Sequence, residues 1–117
     1  MMVPCELSIQ AARLRMRDGE LTARELMASC LERIHTLEGS VCAWVEVYEE
    51  EALEAARRCD DAFHAGRRQG DLHGIPIGVK DIIHVKGMWT RYGSSVYPPH
   101  MAAVSYTHLT LPTTPYV

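Results

Sequence analysis

The ten residues LHGIPIGVKD, from Leu72 to Asp81, decide how the rest of this chain is interpreted. Side chains alternate between the two faces of a β-strand, so a strand here would place Pro76, Gly78 and Lys80 on one face. Because Gly78 has no side chain, the strand face that carries Lys80 would have open space beside the lysine. Gly74 permits a close backbone approach just upstream, and Pro76 suits a first strand position, where no ladder donor is needed. The pattern predicts a short apolar strand that ends in a charge.

This stretch resembles the lysine motif of the amidase signature family, hydrolases and amidotransferases that act on carboxamides through a Ser-Ser-Lys triad. Upstream, GELTARELMASCLERI (Gly19–Ile34) and EEEALEAARRCDDAFHAGRRQGDLHG (Glu49–Gly74) resemble the two helices that precede this lysine in the family. The turn toward a Gly-Ser pair that follows the lysine is matched by Gly87, Thr90, Gly93 and Ser94. The resemblance extends from about Leu7 to Ser95.

The resemblance implies an α/β fold, of which this chain would be an N-terminal fragment with three helices and short strands of a mixed sheet. It also implies that Lys80 is the catalytic residue. In the family this lysine is a neutral amine that accepts a proton through a bridging serine and so activates a second, nucleophilic serine, while backbone N–H groups stabilise the oxyanion. A lysine becomes a useful base when burial disfavours its ammonium form. We therefore expect Lys80 to be buried.

The family's two serines belong to a later Gly-Ser-rich segment that this sequence does not contain. Ser94 and Ser95 instead belong to the turn after the lysine, and no glycine-rich surroundings offer them an oxyanion hole. We expect neither to be a nucleophile, and we expect the chain itself to be inactive. For Asp81, the expected roles are pairing with a cation, capping the following turn or supporting the site, with the first two favoured.

Two helices are predicted before the middle of the chain. Ser8 is a suitable N-cap for the first helix, and Gly19 is placed to end it. Thr22 and Glu25 form a capping box at the start of the second. That second helix has a broad apolar face, which predicts that it is packed, formed by Leu26, Met27, Cys30, Leu31, Ile34 and Leu37.

Gly39 is predicted to end the second helix, and the alternating segment Ala43–Tyr48 to form a half-buried strand. A third helix follows at once, with glutamates in its first turns and arginines toward its end, an arrangement that complements the helix dipole. Its predicted buried stripe consists of Ala52, Ala56, Cys59 and Phe63. Gly66–Gly70 is a polar link into the lysine strand, and Asp81–Gly87 is predicted to be a turn or short helix.

Composition excludes several classes of function. A chain of 117 residues has room for one small core, and a net charge of -3 with interspersed signs is unsuited to nucleic acid or to an anionic membrane. The start of the chain lacks the regions of a signal peptide, and no apolar run is long enough to span a bilayer. The four cysteines are Cys5, Cys30, Cys42 and Cys59, and they form no CxxC pair. This spacing favours small buried thiols and a reducing cytoplasm.

No cofactor or metal is expected. The histidines show no recognised ligand spacing with one another or with carboxylates, and the glycines before Lys80 form no phosphate-binding loop. His73, beside Gly74, is expected to shape the loop and not to act as a base. The histidines are His35, His64, His73, His84, His100 and His108.

The end of the chain has a different composition, because residues 92–117 contain no Lys, Arg, Asp or Glu. VSYTHLTLPT, from Val104 to Thr113, matches an in-frame translation of a transposase-type sequencing adapter. A natural Thr-rich and Pro-rich tail is the alternative. We expect residues 1–103 to be a truncated amidase signature domain and residues 104–117 to be a non-native tail.

Three functions remain open. The first is the N-terminal part of an amidase that cleaves the C–N bond of a small-molecule carboxamide to give a carboxylate and ammonia or an amine. The second is part of the glutaminase A subunit of a tRNA-dependent amidotransferase. The third is a helical interaction module in which Lys80 is incidental. The substrate and the oligomeric state are not determined by this sequence.

Overall fold

The computed structural model of the protein describes residues 2–68, 70–96 and 100–101. A short 3-10 helix, Pro4–Glu6, precedes three α-helices: α1 (Ile9–Arg17), α2 (Ala23–Val41) and α3 (Glu49–His64). Two short strands follow, β1 (Trp89–Thr90) and β2 (His100–Met101). The predicted three helices and short strands of an α/β fragment are confirmed. The predicted tail, residues 104–117, lies outside the described residues.

The described chain forms two compact units, one that ends at Ile77 and one that begins at Gly78. The first contains the helices. The second contains β1 and β2, which pair antiparallel with Trp89 opposite Met101 and Thr90 opposite His100. The mixed sheet implied by the family stays a prediction, since the one sheet among the described residues has these two strands.

The starts of α1 and α2 follow the predicted capping chemistry. The Ser8 hydroxyl accepts a hydrogen bond from the Ala11 amide at 3.1 Å. At α2 the Thr22 hydroxyl accepts from the Glu25 amide at 3.0 Å, and the Glu25 carboxylate accepts from the Thr22 amide at 2.9 Å. Both bonds of the predicted capping box are therefore present, and they satisfy amides that the first helical turn leaves without partners.

The end of α2 differs from the prediction. Gly39 lies inside the helix, which continues to Val41 and ends at Cys42, a left-handed residue with φ 51°. Glu38 accounts for this later end, because its carbonyl accepts from the Cys42 amide at 2.8 Å and its carboxylate accepts from the Trp44 amide at 2.9 Å. Glycine permits a helix end but does not enforce one, so the contacts of Glu38 decide where the chain leaves the helix.

The predicted strand Ala43–Tyr48 is not formed. The segment instead runs irregularly from α2 to α3 and packs Trp44 and Val47 against the helical core. A strand needs a neighbour to satisfy its backbone groups, and alternation in the sequence cannot supply one. The prediction of a strand was therefore wrong, although two of its apolar residues do pack.

The main core lies between α2 and α3. Small side chains on α3 allow the two helices to approach closely, and Met27, which is fully buried, fills the space between them. The buried members of this cluster are Ala23, Met27, Leu31, Ala52, Ala56 and Cys59. Phe63, predicted to be buried, is only partly so, and Leu37 at the far end of the α2 face is exposed. No helix within the described residues combines the length and apolar character needed to cross a bilayer.

Candidate active site

The first half of the lysine motif is a turn and not a strand. Residues 71–74 form the turn, closed by a hydrogen bond from the Ile75 amide to the Leu72 carbonyl at 3.0 Å. Gly74 has φ +82°, and a Cβ added there would lie 3.1 Å from the Cβ of Ala23 and 3.3 Å from the sulfur of Met16. The predicted close backbone approach at Gly74 is therefore confirmed. Only glycine satisfies both the dihedral angle and the space.

Two buried residues anchor this turn in the helical unit. His73 is 6% exposed, and its Nε2 donates a hydrogen bond to the main-chain carbonyl of Cys59 in α3 at 2.8 Å. Ile75 is buried in a second cluster with Ala12, Leu21 and Leu26. The contact of His73 agrees with its predicted role in shaping the loop, because the ring ties the turn to the last part of α3.

Lys80 lies in an irregular segment and its side chain is exposed. Of the strand predicted to begin at Pro76, an isolated bridge at Ile77 is all that forms between Pro76 and Asp81, and the predicted burial of Lys80 is not observed. Burial on an apolar strand requires a sheet on both sides of that strand, and none of the described residues provides it. The environment that would make this lysine a base is thus not built by the described chain, and the catalytic role of Lys80 stays a prediction.

Asp81, the next residue, is held firmly. Its Oδ1 accepts a hydrogen bond from the Arg91 amide at 2.9 Å, and its Oδ2 accepts from the Gly93 amide at 3.2 Å. Its main-chain carbonyl accepts from the Tyr92 amide at 3.1 Å. Of the roles predicted for Asp81, turn capping is therefore the one observed, but the turn that it caps lies ten residues downstream and not immediately after it.

The turn held by Asp81 has an unusual backbone. Tyr92 has φ 58° and Gly93 has φ 63°, so two successive residues are left-handed. The Tyr92 hydroxyl lies 2.7 Å from Nε2 of His84, and the two rings pack edge to face with centroids 5.8 Å apart. The family resemblance predicted a turn at Gly93 and Ser94 but not the left-handed conformation of Tyr92, because the left-handed region is uncommon for a tyrosine.

Ser94 and Ser95 follow this turn directly. The Ser94 amide donates to the Arg91 carbonyl at 3.3 Å, and its hydroxyl accepts from the Val96 amide at 3.1 Å. In the described part of the chain, no hydrogen bond joins either serine to Lys80. The Ser94 hydroxyl therefore has a local structural role, and the expectation that it is not the nucleophile stays a prediction.

The thiols do not form a second reactive centre. Burial raises the pKa of Cys30, with a smaller contribution from Cys5, and burial raises the pKa of Cys59 against an opposing backbone hydrogen bond from Gly74. A raised thiol pKa reduces the nucleophilic thiolate. Cys59 is buried as predicted, whereas Cys42 is exposed at the end of α2. Among residues 2–68, 70–96 and 100–101, no group of three or more metal-ligating side chains is close enough to hold an ion.

Known proteins are similar to this chain over the residues that form its helices and the lysine motif. The family model described as Amidase matches residues 25–107. The A subunit of glutamyl-tRNA(Gln) amidotransferase from Chloroflexus aggregans is 40% identical over 102 residues, which cover 84% of this chain and 21% of that protein. The corresponding protein from Desulfatibacillum aliphaticivorans is 36% identical over 107 residues, covering 89% of this chain and 22% of that protein.

A solved structure is similar as well. Native peptide amidase from Stenotrophomonas maltophilia has 34% sequence identity and a TM-score of 0.72, covering 77% of this chain and 19% of that one. The helices and the lysine motif thus define part of the α/β amidase signature fold. The chain belongs to the amidase family. It spans 21% and 22% of the lengths of these two amidotransferase subunits.

Proposed function

We propose that the protein represented by this chain hydrolyses the C–N bond of a small-molecule carboxamide, with Lys80 as the base of a Ser-Ser-Lys triad. The observation that carries this proposal is the position of Lys80 in LHGIPIGVKD, within the matched residues 25–107. The similarity to a peptide amidase supports amide hydrolysis as the reaction. Family membership favours this function over a helical interaction module.

Under this proposal, some catalytic groups lie in this chain and the others lie in the region that its longer relatives have in addition. Lys80 is present, whereas the Gly-Ser-rich segment with the two family serines is not part of these 117 residues. The chain by itself is therefore expected to give no turnover. The exposed position of Lys80 supports this expectation, since this chain does not bury the lysine in an apolar site.

A hybrid enzyme tests the role of Lys80. Residues 1–96 replace the aligned segment of the Stenotrophomonas maltophilia peptide amidase, and hydrolysis of a peptide amide is measured. Lys80→Ala is expected to lower kcat at least about a thousandfold, in line with the loss of a general base that activates a nucleophile. Lys86→Ala is the matched control, because Lys86 is the other of the two lysines in the sequence. An active Lys80→Ala hybrid would refute the proposal.

A second candidate function is supported by the curated relatives. Two of them, at 40% and 36% identity, carry the name of the A subunit of a glutamyl-tRNA(Gln) amidotransferase. In that case the protein would release ammonia from glutamine for transfer to a misacylated tRNA, together with partner subunits. Genes for such subunits beside this one would favour the amidotransferase. So would a hybrid with the Chloroflexus aggregans protein that hydrolyses glutamine only when its partner subunits are added.

We also propose that the protein works in a reducing cytoplasm. The four cysteines are free thiols, and burial keeps Cys59 out of contact with solvent. An absence of disulfides is typical of cytosolic proteins. Fractionation of the source cells, with detection of the protein by antibody, tests this location.

A further inference from the structure

Asp81 connects the lysine segment to a later turn through three hydrogen bonds. Its two carboxylate oxygens accept from the amides of Arg91 and Gly93, at 2.9 and 3.2 Å, and its carbonyl accepts from the amide of Tyr92 at 3.1 Å. Three consecutive amides thus converge on one residue. Hydrogen bonds from amides to an ionised carboxylate are stronger than neutral ones, so this connection is more than an ordinary turn contact.

The backbone of the later turn is shaped for an anion. Tyr92 and Gly93 have φ angles of 58° and 63°. The amides of Arg91 and Gly93, on either side of Tyr92, face one concavity, and the Asp81 carboxylate fills it. A left-handed backbone is uncommon for a tyrosine and persists only where its surroundings enforce it. Asp81 supplies that enforcement.

Lys80 is held from the other side. Its carbonyl accepts a hydrogen bond from the Ile83 amide at 3.0 Å, while the carbonyl and the carboxylate of the adjacent Asp81 bind the later turn. The peptide unit between Lys80 and Asp81 is therefore fixed by contacts on both of its residues. Since both oxygens of Asp81 accept backbone amides, the carboxylate is directed at the turn and is not simply a counter-ion for the lysine ammonium.

We propose that Asp81 is a positioning residue, which fixes the backbone of Lys80 relative to the Gly93–Ser94 turn by occupying the amide concavity of residues 91–93. This inference rests on the proposed function of Lys80 as the base. The turn matters because Gly93 and Ser94 match the Gly-Ser turn that follows the lysine in the family. A lysine that exchanges a proton with a serine must be held within a narrow range of positions, which a flexible segment cannot provide.

The test uses the complete 117-residue chain and two NMR measurements. Rates of amide exchange with water are measured for Ile83, Arg91 and Gly93. The lysines are reductively methylated with ¹³C-formaldehyde, and because Lys80 and Lys86 are the two lysines present, each gives its own dimethylamine signal. The variants are Asp81→Ala and the isosteric Asp81→Asn. Asp71→Asn, which alters an exposed acid in the helical unit, is the control.

In Asp81→Ala, the amides of Arg91 and Gly93 are expected to exchange at least about tenfold faster, the loss typical of hydrogen bonds to a charged group. Ile83 is expected to exchange faster as well, and the Lys80 methyl signal to shift while that of Lys86 does not. In Asp81→Asn one of the two amides alone is expected to be released, because the side chain keeps a single acceptor oxygen. The control is expected to change none of these signals.

Unchanged exchange at Arg91 and Gly93 in Asp81→Ala would overturn the proposal. So would release of these amides with no change at Ile83 and Lys80, because Asp81 would then shape the turn without positioning the lysine. If Asp81→Ala unfolds the segment, Asp81→Asn decides, and equal protection of both amides in that variant overturns the proposal. None of these measurements depends on turnover, so a Lys80→Ala hybrid that stays active would refute the function of Lys80 and leave the result for Asp81 standing.

Discussion

The Asp60 carboxylate on α3 accepts a hydrogen bond from the backbone amide of Ala23, the first residue of α2, at 2.7 Å. Its second oxygen accepts from the amide of Arg24 at 3.1 Å. A helix N-terminus has unpaired amides and a partial positive charge, so an aspartate from another helix is a strong partner for it. This bidentate contact fixes the start of α2 against the third helix.

Removal of this contact is expected to destabilise the helical unit. Asp60→Ala should lower the free energy of unfolding by about 1.5–3 kcal/mol, because two amides lose a charged acceptor. Asp61→Ala is a matched control, since Asp61 is the neighbouring aspartate and forms an exposed ion pair with Arg57 at 3.1 Å. Exposed pairs contribute about 1 kcal/mol or less. Urea denaturation followed by circular dichroism measures both values, and equal losses would contradict the structural role of Asp60.

Gly74 is expected to tolerate no side chain. Gly74→Ala introduces a Cβ that lies 3.1 Å from Ala23 Cβ at a residue with φ +82°. Gly70→Ala is the control, because Gly70 has φ +70° but no heavy atom within 4 Å of the added Cβ. Both substitutions cost about 1–2 kcal/mol for the left-handed backbone, and Gly74→Ala adds the cost of the clash. Thermal unfolding should therefore show a larger loss of stability for Gly74→Ala than for Gly70→Ala. Equal losses would mean that the helices shift to make room for the added Cβ.

His73 is expected to contribute through its bond to the Cys59 carbonyl. His73→Phe keeps a ring of similar size but removes the donor, and it leaves the carbonyl without the partner found at 2.8 Å. The loss of one hydrogen bond to a buried carbonyl costs about 0.5–1.5 kcal/mol. His64→Phe serves for comparison, since His64 also bonds a main-chain carbonyl at 2.8 Å but is exposed to water. Chemical denaturation measures the loss in free energy of unfolding for His73→Phe and for His64→Phe. Equal losses would disprove the role of His73.

Raising the pH is expected to weaken the fold through the buried thiols. Burial raises the pKa of Cys30 and of Cys59 above the ordinary value of 9.0. The folded state therefore holds these protons where the unfolded state releases them, so stability is fully present below pH 9.0 and falls as the pH rises through it.

The free energy of unfolding, measured by urea titration at several pH values from neutral to strongly alkaline, checks this expectation. The variant Cys30→Ala/Cys59→Ala should show a smaller fall above pH 9.0 than the unmodified chain. Cys42→Ala is the control, because Cys42 is exposed at the end of α2 and its thiol is already solvated when folded. A pH dependence that is identical in all three proteins would rule out the thiols as its source.

Helix starts were predictable from the sequence because capping is local. The capping box of Thr22 and Glu25, and the Ser8 cap, depend on residues three positions apart, and each was found as predicted. Family membership was predictable for a similar reason, since LHGIPIGVKD is one continuous segment. Within the motif, the close backbone approach at Gly74 was predicted, and the structure shows that the neighbour is the helical residue Ala23.

The sequence by itself thus determined the three helices, the N-terminal caps of α1 and α2 and the family, because these depend on neighbours within a few residues. Only the tertiary structure decided that Leu72–Asp81 is not a strand and that Lys80 is exposed, since a strand is defined by partners elsewhere in a sheet. It also decided that Asp60 caps α2 and that Asp81 holds the amides of a turn ten residues away. A carboxylate binds whichever unpaired amides the fold brings to it, and the order of residues does not state which these are.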